Sequence, residues 1–430
     1  MQVPRDEPPS ILRNVCYLLM AALLVCLVFH NRASESFAYY REVLNGLLAL
    51  CCLVQLASGR VRGVFERGEV RVLLLWIGYY VVCFLADPQV SLYGDDVSQA
   101  TDRVSVSGGI YVLRGFFIHV PLFFAMVLFR LSNRATYVLV LVMLLASPFG
   151  VWADYSLGGV DAFSMHQLET AFDSGKTYNY NQYGPYLSGF VLCGIFIAAK
   201  AGVRWQTRAL ALGIASFHLV WLVYSRSRAG FLFAFLAIVC GGVSFLKGWQ
   251  RAFVVIAGAS VVFLLAAEPL LSERYLSSDN YSLVRSGGDR IQLMEEGLAM
   301  VDGAGWLIGE GFSAVVFSGP HTNYVRVLQR TGIIGMLLTF APFVLVVMKV
   351  ATLLAHRRQQ VDWAHGWFAC SMVAFTLFHS VFSYPHEEAQ NAVLVWFGIG
   401  FAVCFLQRAE AIPWGYSQSY RHSGTVSPAR

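Results

Sequence analysis

The stretch that decides the fold is "GPHTNYVRVLQRTGIIGMLLTFAPFVLVVMKV", residues 319–350. It opens on Gly319-Pro320 and carries His321, Asn323, Tyr324, Arg326 and Arg330 close together. It then runs from Thr331 to Met348 without a charge before reaching Lys349. A helix needs roughly 20 apolar residues to cross a bilayer core, and this run supplies nearly all of them. The apolar residues are continuous rather than alternating, so the span is a helix and not a barrel strand.

The rest of the chain repeats that texture. Of 430 residues, 57% are hydrophobic and 13% charged, against roughly 25% charged in a soluble domain. The fold expected is all-α: one integral membrane domain over 1–430, with no segment polar enough to stand apart as a soluble domain. Spans are expected near 11–30, 42–57, 72–86, 110–129, 137–152, 184–199, 209–224, 229–246, 252–268, 331–353, 363–382 and 391–407, about twelve transmembrane helices. The partners this implies begin with membrane lipids and do not include nucleic acid.

Charge sets the orientation. With the N-terminus inside, the inner segments hold 19 of the 31 Lys and Arg and 6 of the 26 Asp and Glu. The positive-inside rule then puts both termini in the cytoplasm. Four polar segments fall outside, at 87–109, 153–183, 225–228 and 269–330, the last being the largest. The N-terminal apolar stretch is long for a signal peptide and reads as an uncleaved first span. The nine cysteines all sit in apolar runs and read as small buried hydrophobes, not as a disulfide or metal framework. The tail after the last span reads as unpacked.

The outer side is where chemistry is expected. In "VYSRSRAGFLFAF", residues 223–235, Arg226 and Arg228 occupy a tight turn at the outer boundary, against the positive-inside bias. Snorkelling accounts for a lone arginine there. Two arginines flanked by serines at a helix start point to an anion site. In "SGGDRIQLMEEGLAMVDGAGWLIGEGF", residues 286–312, Ile291, Met294, Leu298 and Val301 recur at helical spacing. That pattern predicts a short amphipathic helix on the membrane face. With Asp289 as N-cap, Arg290 sits in the first turn, where the helix dipole disfavours a cation. Its partner is either an acidic neighbour such as Glu295 or a phosphate. The glycines of "GAGWLIGEGF" then allow a tight return. In "KTYNYNQYGPYLSGF", residues 176–190, Asn181 is either a sugar contact or a cap for the following helix.

Three motifs occur in order: S-R-A-G at 227–230, D-R…G-E-G-F at 289–312, and H-T-N-Y leading to G-I-I-G at 321–335. Together with "YNQYGPYL" before an earlier span, the chain resembles the superfamily of O-antigen ligases and Wzy-type O-antigen polymerases over about 176–340. The resemblance implies an enzyme at the periplasmic face of the bacterial inner membrane. An O-antigen ligase transfers polysaccharide from undecaprenyl pyrophosphate to the lipid A–core in lipopolysaccharide biosynthesis. Donor and acceptor would then be the undecaprenyl-pyrophosphate-linked polysaccharide and the lipid A–core oligosaccharide. Carried over by motif, the residues implied are Arg228, Arg290 and His321. Arg226 has no firm counterpart. The short tail and the single basic residue of 153–183, Lys176, favour the ligase over a protein O-oligosaccharyltransferase or a polymerase.

The chemistry fits those residue types. A lipid pyrophosphate leaves well once its charge is neutralised, which bidentate arginine does. A sugar hydroxyl needs a base, and a neutral His321 at a helix start supplies one. His386, beside Glu387 and Glu388, is the second candidate base. Asn181 and Tyr324 complete the expected substrate-binding set. With no D-x-D motif, transfer is expected to proceed without metal or other cofactor, in one inverting displacement. A transporter or flippase is the competing class, for which mid-span charges and discontinuous helices would be the mark. His119, His218 and His379, the main polar residues inside spans, read as core hydrogen-bonding groups.

Overall fold

The computed structural model describes residues 10–28, 35–59, 61–86, 117–158, 180–225, 230, 232–233, 235, 292, 294–311, 323–356, 361–382 and 389–411. Among these there is no strand. The helices are α1 (Ser10–Val28), α2 (Glu35–Ala57), α3 (Arg62–Phe65), α4 (Gly68–Ala86), α5 (Val120–Leu128), α6 (Asn133–Gly158), α7 (Tyr180–Ala199), α8 (Trp205–Ser225), α9 (Gly305–Ile308), α10 (Asn323–His356), α11 (Trp363–Phe382) and α12 (Ala389–Glu410).

Local chemistry sets several of the boundaries. Pro121 lies in the first turn of α5, where the missing N–H would have no helical partner anyway. The Ser132 hydroxyl accepts from the Ala135 N–H at 3.1 Å, and the Asp362 carboxylate accepts from the His365 N–H at 3.3 Å. Both are N-cap bonds that satisfy donors the first turn leaves open.

Five helices are long and apolar enough to cross a membrane: Tyr39–Ala57, Gly68–Ala86, Asn133–Ala153, Asn323–His356 and Ala392–Glu410. Ile11–Cys26 and Gly184–Ala199 are shorter apolar helices. Ten of the twelve expected spans overlap described helices. The other two, 229–246 and 252–268, lie almost wholly outside the described residues. Leu337, Val344 and Met348 on α10 and Leu50, Leu53 and Val54 on α2 are exposed, the face such helices turn to lipid.

The bundle is organised around α12, 89% of whose apolar stretch is buried. Trp396 stacks on Trp76 of α4 with ring centroids 5.5 Å apart and meets Phe123 of α5 edge-on. Phe401 packs against Phe196 of α7 and Phe368 of α11. Lipid offers apolar side chains as good a home as protein does, so close backbone approach carries much of the association. At Gly194 of α7 a Cβ would come within 2.7 Å of the Ala215 Cβ of α8.

Many of the polar contacts between helices fall at one of two ends. At one end Glu69, almost fully buried, holds Arg67 at 2.6 Å and Lys349 at 2.5 Å. Arg67 reaches Glu410 at 2.9 Å. Lys200 pairs with Asp362, Arg408 donates to the Leu131 carbonyl, and a ring nitrogen of His365 meets the Asn133 carbonyl at 3.0 Å. All these groups come from segments expected on the same side, or from span ends next to them. At the other end Tyr186 donates to the Val28 carbonyl at 3.0 Å, and Tyr79 donates to Thr331 at 3.0 Å.

Candidate active site

Helix α10 is two helices across a break. Gly332 takes φ 65° and ψ −171°, a conformation that favours glycine. The break takes the Gln329, Arg330 and Thr331 carbonyls out of the helical ladder, and each finds a donor outside it. Gln329 accepts from the Glu310 N–H at 2.7 Å and Arg330 from the Gly311 N–H at 3.2 Å. Thr331 accepts from the Tyr79 hydroxyl. The Gln329 side chain donates to the Gly297 carbonyl at 2.6 Å, tying the helical residues 294–299 to the same place.

The segment that supplies these donors is the glycine-rich return. Gly303, Gly309 and Gly311 all have positive φ, so the tight reversal expected of "GAGWLIGEGF" is present. Glu310 folds back to accept from the Asp302 N–H at 3.1 Å. The contact with α10 is reciprocal. A Cβ on Gly309 would meet Arg330 backbone at 2.2 Å, and a Cβ on Gly332 would meet Leu307 backbone at 2.3 Å. The G-E-G and G-I-I-G motifs are therefore two halves of one junction.

The other motifs arrive at the same end. Gly230, the last residue of S-R-A-G, lies so close to Gly184 of "YNQYGPYL" that a Cβ would fall 2.6 Å from its carbonyl carbon. The Ser188 hydroxyl donates to the Gly230 carbonyl at 2.6 Å. Phe233 packs against Phe375 and His379 of α11, with centroids at 5.2 and 5.7 Å. Tyr324 of H-T-N-Y stacks on Phe340 at 4.3 Å and donates its hydroxyl to the Leu377 carbonyl at 2.9 Å. The last turns of α11 are thus the shared support of two motifs.

This end also buries polar side chains: Asn323, Gln329, Arg330, Thr376, His379 and Ser380. Asn323, Arg326 and Arg330 recur at i, i+3 and i+7, one face of the short helix before the break. Burying such groups at the level of a bilayer is costly, which makes them functional candidates. His379, read from sequence as a core histidine, stands among them. Its ring is held by Phe233 and Phe375, a setting that sequence spacing could not reveal. The Asn323–Arg326–Arg330 spacing was legible, but the burial of Asn323 and Arg330 was not.

Of the residues expected to act, His321, Arg226, Arg228 and Arg290 lie outside the described residues. Each of the last three motifs nonetheless reaches a described residue two positions on: Arg228 precedes Gly230, Arg290 precedes Gln292, and His321 precedes Asn323. Asn181 is the second residue of α7, with its side chain outside the described set. Tyr324 is described, and its one proton is committed to Leu377, so a ligand would meet only the phenolic oxygen. The other candidate base, His386, also lies outside the described residues, as do the Asp289 cap and Ile291.

His119 and His218, also buried, sit in the bundle as the sequence reading expected. A His119 ring nitrogen is 3.0 Å from the Asn45 side-chain amide. One from His218 is 3.0 Å from the Ile214 carbonyl. Among the described residues, eight cysteines are free thiols. No model of a known protein family matches the chain, and no curated protein matches it.

Proposed function

We propose that the chain is a glycosyltransferase of the O-antigen ligase type. It moves a polysaccharide from undecaprenyl pyrophosphate to the lipid A–core at the periplasmic face of the bacterial inner membrane. The observation that carries this reading is the convergence of four sequence motifs on one end of the bundle. That end lies opposite the one that gathers Arg67, Lys200, Lys349 and Arg408. The positive-inside bias assigns the latter end, and both termini, to the cytoplasm.

In this reading Arg228 and Arg290, with Arg226 beside them, clamp the diphosphate and neutralise the charge that develops as it leaves. His321 takes the proton of the attacking sugar hydroxyl. Asn181 and Tyr324 face the sugars, and no step calls on a metal or cofactor.

The break in α10 bears on the transporter alternative, since discontinuous helices line transport sites. There the exposed carbonyls coordinate an ion. Here the carbonyls of residues 329–331 are bonded to two backbone N–H groups and a tyrosine hydroxyl. The break is used to dock a loop, and this favours surface chemistry.

The experiment is a deletion followed by analysis of lipopolysaccharide and lipid-linked intermediates. Uncapped core with long polymer accumulating on undecaprenyl pyrophosphate supports the ligase. Core bearing a single repeat moves the assignment to a polymerase. Unchanged lipopolysaccharide refutes both, and directs attention to protein glycosylation or transport.

A further inference from the structure

The loop segment docked on α10 presents three consecutive large apolar side chains outward. Trp306 is 41% exposed, Leu307 57% and Ile308 53%. A contiguous run of large exposed apolar side chains is the kind of surface that marks an interaction or membrane site, whereas a single one would need no explanation. Its surroundings identify the cover.

Leu307 lies directly against Gly332, where the long half of α10 begins. From that point α10 continues as an exposed apolar stripe, Ile333, Leu337, Val344 and Met348, all on one helix face. The loop triplet adjoins the upper end of that stripe. Depth agrees. Lys349, paired with Glu69, marks the opposite end. The rise from Gly332 to Lys349 is about 26 Å at 1.5 Å per residue, inside the ~30 Å of a hydrocarbon core. The triplet therefore lies at the boundary of the hydrocarbon, where tryptophan is favoured. The carboxylate two positions on, Glu310, is folded back over Gly305 and accepts from the Asp302 N–H.

We propose that Trp306, Leu307 and Ile308 form a membrane anchor, inserted among the acyl chains of the leaflet at the motif-bearing end. The anchor holds the loop at a fixed height through the Gly309–Gly332 junction. It depends on the chain being a membrane protein and not on which reaction it catalyses.

The test uses the full-length protein in nanodiscs of a zwitterionic phospholipid, without donor or acceptor. A photoreactive diazirine analogue of leucine replaces Leu307, and in a second sample the same group replaces Asp302. On irradiation the peptide containing residue 307 should gain the mass of a phospholipid, and the one containing residue 302 should not. A cross-linked dimer in place of the lipid adduct would make a second copy the occupant and overturn the proposal. So would an adduct that forms only when a polyisoprenoid lipid is added, or no adduct at all. A second measurement needs no foreign side chain. The fluorescence that wild type has beyond Trp306→Phe should fall by roughly half in lipid brominated near the headgroup end of its acyl chains, as interfacial placement requires. An unquenched difference signal would likewise overturn the anchor.

Discussion

Gly309 and Gly332 exclude each other's side chains: a Cβ on either would enter the backbone of the segment that carries the other, at 2.2 and 2.3 Å. Both also have positive φ, so alanine at either meets strain and collision together. Each Gly→Ala change should cost about 1–3 kcal/mol from the backbone conformation alone, since positive φ with ψ near 180° is essentially reserved for glycine. Because both changes break one junction, the double variant should cost clearly less than the sum. Thermal unfolding and the rate of proteolysis within 294–311 measure this. Additive losses would show that the junction is not one unit.

Tyr324→Phe removes the bond to Leu377 but keeps the stack on Phe340. It should lower stability by about 1 kcal/mol and weaken transfer only in part, since one acceptor oxygen toward the sugars is lost and the ring stays in place. A loss of activity far beyond the loss of stability would mean the phenolic oxygen contacts substrate, which the proposed function allows but the bond to α11 does not require.

Glu69 is 1% exposed and joins two cations, whereas Lys349 is 42% exposed. The two ends of the pair should therefore respond unequally. Glu69→Gln strands a cluster of positive charge and should cost about 1–3 kcal/mol, below the value for a fully buried pair because Lys349 stays accessible to solvent. Lys349→Met leaves Glu69 its Arg67 partner and should cost less. Equal losses in thermal unfolding would contradict this reading.

Burial alone would raise the Asp362 carboxyl. The hydrogen bonds and charges of His365 and Lys200 outweigh it and hold the group well below the ordinary carboxylate range. A depressed folded value means that this contribution to stability is full above the unfolded value near ~4 and declines as pH falls below it. Acid unfolding in detergent should show that decline, and Asp362→Asn should flatten it. A slope unchanged by Asp362→Asn would assign it to other carboxylates.

Transfer by the purified protein should survive chelator. Arg228→Lys and Arg290→Lys should recover only part of what the alanine variants lose, since an ammonium cannot make the planar two-point contact. His321→Ala should abolish transfer while donor lipid still binds, and His386→Ala should retain substantial activity. Activity abolished by EDTA and restored by Mg²⁺ would remove the arginine clamp.

The fold was legible where one physical signal dominates. Uncharged runs such as 331–348 mark helices because bilayers admit little else, and the glycines of 303–311 announce a reversal. The break at Gly332 was not legible. Glycine is common in membrane helices, and nothing local distinguishes Gly332 from Gly335, which stays helical. What distinguishes them is Gly309, twenty-three positions earlier, and Tyr79 on a different span. Likewise His379 differs from His218 only in what surrounds it. The motifs themselves could be read in order, but their meeting at α11 is a property of the packing.

One consequence of the central place of α12 concerns biosynthesis. The helix at the middle of the bundle follows in the chain every helix it packs against. Its Cys404 thiol reaches the Met126 carbonyl across 278 residues. At about 5–20 residues per second of translation, α5 waits on the order of 15–55 seconds for the partner that fills its side. During that interval the earlier spans must stay in the bilayer without their common core, with lipid standing in for Trp396 and Phe401. A ribosome stalled before α12 would therefore leave a ring of inserted but uncentred helices, the form a membrane quality-control protease should recognise first.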